Sequence, residues 1–265
     1  MHASWNLLAK RARDPFAFLW LTMALALAWL GPLAAFSHPE SLARALWPLA
    51  VSALVHGVYF VTLGEAYREG ELSTVYPIAR GLGVGLAPLL ALALEGTSPS
   101  PLAGLGIAVV VVAILSLART SGVPARPRGR GTALAIATGP LIAIYSVVDH
   151  RGVSSADPIP YLCATNLGAL VVSAPLAWRR SEALRHEWRV SRTALAMAAT
   201  TSLSAYLLVL YAFQRAPAAY VVAMREISIV FATVLGRVVL GEPITRTRAA
   251  AALAIAAGAA IIASS

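Results

Sequence analysis

The chain has 265 residues, 58% hydrophobic and only 12% charged, with a mean hydropathy of +0.73 and a formal net charge of +9. Soluble domains average about 25% charged residues, so there are too few polar side chains to build a water-facing shell around a chain of this length. An ordinary soluble enzyme, a disordered chain and a nucleic-acid-binding module are excluded, and the single Cys163 excludes an internal disulfide framework or a thiolate metal cage.

The remaining class is an integral membrane protein. A bilayer core of about 30 Å takes about 20 apolar residues per helix. The chain opens on a partial helix, 1–9, closed by Lys10, Arg11 and Arg13. Nine residues reach only about 14 Å, so this helix is either short or continues upstream of Met1; the second is the expectation. Full spans follow at 15–36, 46–66, 72–94, 102–118, 132–149, 158–177, 193–213, 217–240 and 247–263. A cleaved signal peptide is rejected, because 15–36 is long for its apolar region and no small-residue cleavage site follows. A β-barrel would alternate over segments of about ten residues. Long unbroken runs demand helices, since lipid offers the backbone no partners.

Lys and Arg divide unequally between the two sets of links. One set carries Lys10, Arg11, Arg13, Arg68, Arg119, Arg126, Arg128, Arg130, Arg179, Arg180, Arg185, Arg189, Arg192, Arg246 and Arg248; the other carries Arg44, Arg151 and Arg215. Fifteen cations against three puts the Arg-rich links in the cytoplasm and Ser264-Ser265 outside. The basic charge is therefore topology. Nucleic acid is not an expected partner.

Two stretches echo each other. From Glu65 and from Tyr211 the chain shows an Ala-aromatic pair (Ala66-Tyr67, Ala212-Phe213), then a helix with an Arg two turns in (Arg80, Arg225), ending at a Glu (Glu95, Glu242) before a small-residue closing helix. An odd number of spans per copy inserts the second copy upside down, the arrangement of alternating-access carriers with a site near the midplane.

HASWNLLAK at 2–10, EAYREGELSTVYPIARG at 65–81 and LGEPIT at 240–245 carry a family likeness. The chain resembles the EamA-type branch of the drug/metabolite transporter superfamily. That resemblance implies an all-α membrane protein of about ten helices in two inverted five-helix repeats: 1–118, a cytoplasmic linker 119–131, and 132–265. It also implies a bacterial inner-membrane transporter, more often an exporter, without enzymatic activity. Two departures are the incomplete first helix and an outer C-terminus, where the resemblance implies an inner one.

Ionisable residues inside spans are costly unless they line a cavity or find a partner. Arg80 and Arg225 lie at matching depths in the repeated helices and are expected to converge on a carboxylate or phosphate. The bland alternative locks each to an acid: Glu226 beside Arg225, and Glu65 or Glu69 near Arg80. Tyr76 shares the Arg80 face. Pro77 and the glycines Gly81, Gly83 and Gly85 read equally as an interrupted binding helix or as a packing face. The resemblance adds Trp5 and Asn6 at the end of helix one. His56, Glu65 and Glu226 are candidate proton-coupling groups, His56 reading equally as a satisfied interhelical hydrogen bond. Tyr145, Tyr206 and Tyr211 read as interface anchors or core, Glu95 and Glu242 as structural, and Arg237 as snorkelling. Asp149, His150 and Arg151 read as an exposed loop cluster on the outer face, too poor in ligands for a metal site.

There is no P-loop, HExxH or GxSxG. No metal or cofactor is expected. The expected partners are a small-molecule substrate, anionic by the two arginines, and membrane lipid, with a homodimer left open. Two rivals remain: a lipid-carrier flippase of the same superfamily, and a non-transporting membrane scaffold or accessory protein.

Overall fold

The computed structural model describes residues 2–70, 72–120, 129–231 and 245–265. In chain order the helices are α1 His2–Arg11, α2 Pro15–Ala35, a 3-10 helix Pro39–Arg44, α3 Leu46–Glu69, α4 Leu72–Glu95, α5 Pro101–Thr120, α6 Arg130–Val153, α7 Pro158–Arg179, α8 Ser181–Val190, α9 Arg192–Phe213, α10 Ala218–Met224, a further helical turn at 227–231, and α11 Arg246–Ala263. Among the described residues there is no strand. Within α2, α3, α4, α6, α7 and α9 lie six segments long and apolar enough to cross a bilayer, and α5 and α11 add shorter apolar stretches. Arg237, Glu242 and the 121–128 part of the linker lie outside the described residues.

Local chemistry sets the helix starts. Asp14 caps α2, its side chain accepting from Ala17 N–H at 3.0 Å with Pro15 at the first position. Asp157 caps α7 in the same way, accepting from Ile159 N–H with Pro158 following. Each cap satisfies an orphan donor where proline has none to offer.

The exterior is apolar, and the largely apolar interior holds a set of buried polar residues. Leu253, Val112 and Val171 are 72%, 66% and 65% exposed, whereas Ser52, Thr138, Ser146, Asp149 and Glu226 are buried. Water would penalise that outer surface; hydrocarbon does not.

Packing brings the two halves of the chain together. Helix α3 lies against α6 and α7, α2 against α7 and α9, α1 against α9, α4 against α5, α6 and α10, and α5 against α11. The α4–α6 contact is close because both helices present glycine. A Cβ on Gly139 would stand 2.4 Å from Leu82 Cβ, and one on Gly83 would stand 2.6 Å from Ile142 Cγ2. Gly81 likewise faces Ile114 of α5. Helix α4 runs unbroken through Pro77, so of the two readings the sequence left open, these glycines follow the packing face.

Three expectations are corrected. The 217–240 span is not one helix: α10 stops at Met224, and Arg225 and Glu226 are turn residues. Through this break the backbone tightens to i→i−3 bonds, Glu226 N–H to Ala223 C=O at 3.1 Å, Ser228 to Arg225 at 3.1 Å and Ile229 to Glu226 at 2.9 Å. The link 179–192 is not an open loop. It folds as α8, with Trp188 and Val190 exposed beside Arg185 and Arg189, and Glu187 buried. Finally, Asp149, His150 and Arg151 belong to the last turns of α6, which extends to Val153. Successive helical residues are 100° apart, so Asp149 points into the bundle, fully buried, while Arg151 faces outward onto Trp47.

The Arg-rich ends meet on one face. Arg180 contacts Glu65 at 2.7 Å and Asp14 at 3.2 Å, Arg68 contacts Glu65 at 2.5 Å, and Lys10 donates to the carbonyls of Tyr67 and Gly70. At the other ends His150 pairs with Glu95 at 2.7 Å, and Arg151 donates to Leu94 C=O.

Candidate functional site

Between the helices lies a cavity of about 70 Å³. Each element contributes one helical face. Helix α2 supplies Leu19, Thr22, Met23 and Ala26; α3 supplies His56, Tyr59 and Phe60; α7 supplies Leu162 and Asn166; α9 supplies Ser202, Leu203 and Tyr206. These spacings of three, four and seven are those of one stripe of an α-helix. Trp5 of α1, Arg80 of α4, Tyr145 of α6 and Arg225 at the end of α10 complete the wall.

The two expected arginines do meet here, and their environments differ. The Arg80 Nε donates to Glu226 Oε2 at 3.1 Å, and its Nη2 lies 2.6 Å from Oε1. Its guanidinium carbon also sits 5.7 Å from the Tyr76 ring centre. Arg225 is 9% exposed, and among the described residues no carboxylate lies within 4 Å of it. Among the described residues its Nε and Nη1 have no hydrogen-bond partner, and its guanidinium rests 5.8 Å from the Tyr206 ring centre. The acid adjacent to Arg225 in sequence has thus turned to the other arginine. The tightened backbone at the break separates the two side chains.

A second polar group adjoins the cavity. Tyr161 Oη donates to Asp149 Oδ1 at 3.0 Å, and Tyr206 Oη donates to Oδ2. His56 Nε2 stands 3.9 Å from Oδ2, while its Nδ1 lies 3.0 Å from Ser52 C=O. The imidazole stacks on Tyr145 at 4.3 Å between ring centres, with Tyr206 edge-on at 5.5 Å.

Other expected residues lie elsewhere. Trp5 lines the cavity, but Asn6 is one step behind the wall, accepting from Tyr67 Oη at 2.7 Å. Glu226 backs the wall through Arg80, and Tyr76 packs beside that pair. Glu65 does not approach Arg80; it belongs to the ion pairs of the Arg-rich face.

The match of residues 129–264, just over half of the chain, to the EamA-like transporter family decides the class. The chain belongs to the EamA-like transporter family. Such a protein is a multi-pass membrane transporter of the drug/metabolite superfamily, in accord with the apolar exterior described above. Comparison with curated proteins gives no match. Among solved structures, 22 chains match. One, described as "Crystal structure of protein", superposes with a TM-score of 0.70 at 19% identity, over 97% of this chain and 91% of that one. At that identity the likeness concerns the fold alone.

Within this EamA-like cavity the residues that sequence reasoning missed are Asp149, Tyr145 and Tyr206. The expected span, 132–149, ended on Asp149 and so set it at the water boundary, whereas the helix runs on to Val153. Extending the span by one turn would have placed a carboxylate on the same helical face as Tyr145, four residues earlier. The tyrosines carried no such signal, because aromatic residues are equally common as anchors and core.

Proposed function

We propose that the protein is a secondary active transporter that moves a small anionic metabolite across the bacterial inner membrane by alternating access, in the direction of export. One observation carries this reading: Arg225 is buried against the cavity, and its Nε and Nη1 have no hydrogen-bond partner among the described residues. A guanidinium held at membrane depth without an acceptor is costly, and a carboxylate or phosphate entering the cavity supplies the missing acceptor in fork geometry. Leu19, Met23, Phe60, Leu162 and Leu203 provide an apolar wall for the remainder of the cargo. A void of about 70 Å³ is small beside the 300–1,000 Å³ of drug-sized sites, which favours a compact substrate or an occluded state.

Two features support inverted halves rocking about this site. Exchanging α1 with α6, α2 with α7, α3 with α9 and α5 with α11 maps observed contacts onto observed contacts: α3–α6 onto α9–α1, α3–α7 onto α9–α2, and α2–α7 and α5–α11 onto themselves. The Asp-Pro caps of α2 and α7 fall at exchanged positions. The backbone break at Arg225 is the discontinuous helix expected of a carrier's binding site.

Proteoliposomes containing the full chain, loaded with a panel of radiolabelled small carboxylates and phosphate esters, test the proposal. At least one anion is expected to move faster than in protein-free vesicles, and to lose that flux in Arg225→Gln. Undiminished flux in the variant, or flux of cations alone, refutes the reading.

A further inference from the structure

We propose that His56 and Asp149 form a single proton-binding site, joined to the cavity guanidinium through Tyr206, so that a proton is bound together with the anion. The proton site stands on its own geometry; only its coupling to an anion rests on the transport reading above.

The ring nitrogens of His56 have different partners. Nδ1 lies 3.0 Å from the Ser52 carbonyl, which can only accept, and 3.1 Å from the Ser52 hydroxyl, which can donate or accept; we assign the hydrogen to Nδ1, the tautomer that serves the carbonyl. The neutral ring therefore presents the Nε2 lone pair to Asp149 Oδ2, 3.9 Å away. A lone pair facing a carboxylate in a buried site is the arrangement that a proton relieves, on Nε2 or on the carboxyl. The carboxylate is otherwise fixed: Tyr161 donates to Oδ1 and Tyr206 to Oδ2, and Asp149 is 0% exposed. Each of these donors comes from a different helix, so the acid is locked in place while the Nε2 position is left for the proton.

The groups facing the pair come from every neighbouring helix. They are Tyr59 on α3, Tyr145 on α6, Tyr161 on α7, Tyr206 on α9 and Arg225 at the end of α10, with the Arg80–Glu226 pair across the cavity. The α2 face contributes no titratable group. Two guanidiniums against two carboxylates leave the empty, unprotonated site neutral. A bound monoanion makes it negative, and one proton on the pair restores neutrality. A low-dielectric interior favours the neutral combination. Tyr206 supplies the link, since its hydroxyl holds Asp149 and its ring face lies against Arg225. The loaded carrier holds one proton per monoanion.

The test begins without substrate. In the detergent-solubilised full chain with 15N-labelled histidine, long-range proton–nitrogen correlation spectra resolve His56 by its loss in His56→Gln. The neutral ring is expected to bear its hydrogen on Nδ1, to gain a second on Nε2 as pH falls, and to shift its midpoint by about one pH unit or more in Asp149→Asn. A neutral ring protonated on Nε2, or a midpoint unmoved by Asp149→Asn, overturns the site. If Asp149→Asn does not fold, Tyr206→Phe, which removes one donor to the carboxylate, is read in the same way. The second arm uses the proteoliposome anion flux: the ratio of flux with a pH gradient to flux without one exceeds one in the parent and is expected to fall to one in His56→Gln, whatever its absolute flux. A full response in His56→Gln overturns the coupling while anion transport stands. Absence of any anion flux refutes the transport reading and the coupling, and leaves the titration to decide the proton site.

Discussion

Arg80 and Glu226 are 146 residues apart in the chain, yet Nη2 of the arginine lies 2.6 Å from Oε1 of the acid, and both side chains are buried. This two-point pair ties the middle of α4 to the break after α10, across the halves of the chain. It also explains why Arg225 has no carboxylate partner among the described residues, because the nearest acid in sequence is already engaged. A buried pair adds little beyond its desolvation cost, whereas breaking one leaves an unmatched charge.

Removing the acid alone is therefore the damaging change. Glu226→Gln is expected to destabilise the protein by about 3–5 kcal/mol, read as a lowered midpoint of thermal unfolding in detergent. Removing both charges in Arg80→Met with Glu226→Leu recovers most of that loss. A double variant as unstable as Glu226→Gln contradicts the account.

Arg225 behaves in the opposite sense. Among the described residues its guanidinium has no acid within contact and two nitrogens without partners, so Arg225→Met removes a penalty and is expected to leave thermal stability unchanged or raised. The same substitution abolishes the stabilisation that a cargo anion gives the parent, about 2.7 kcal/mol at a hundred times the dissociation constant. A large loss of stability in Arg225→Met would mean that the side chain is structural.

Much of this was legible in the sequence. Apolar run lengths located the helices, because the bilayer fixes how many residues a span needs, and intramembrane charge located Arg80 and Arg225. Three things were not. The break at Arg225-Glu226 has no glycine or proline to announce it; it arises from where the two side chains find partners. The pairing of Arg80 with Glu226 is tertiary, and sequence proximity favoured Arg225 instead. Asp149 sits near a helix end, where one helical turn decides between water and core. Helix α8 was hidden by the five arginines in and around it, Arg179, Arg180, Arg185, Arg189 and Arg192, which read as a loop although Leu184 and Glu187 face the protein.

The α4–α6 seam is expected to tolerate no larger residue at Gly139. A Cβ there meets Leu82 Cβ, at the base of a side chain rather than its mobile tip. Gly139→Ala is expected to cost about 1–3 kcal/mol through overpacking, and Leu82→Ala in the same chain to relieve part of it. Equal unfolding midpoints for Gly139→Ala and the parent would show that the helices separate freely at this point.

Orientation is open to a direct measurement. Lys10, Asp14, Glu65, Arg68, Arg180 and Glu187 gather at one end of the bundle, where the ends of α1, α3 and α7 meet, while Glu95, His150 and Arg151 meet at the other. Lys and Arg are retained on the cytoplasmic side during insertion, so the first end is expected to face the cytoplasm. Helix α11 starts with Arg246 and finishes next to Ser264 and Ser265, so on the same reading the C-terminus is expected outside. In a Cys163→Ala background, Ser265→Cys is expected to react with a membrane-impermeant maleimide in intact cells, and Arg185→Cys on α8 only after the membrane is opened. The reverse pattern would invert the assignment of the two faces and with it the sense of export.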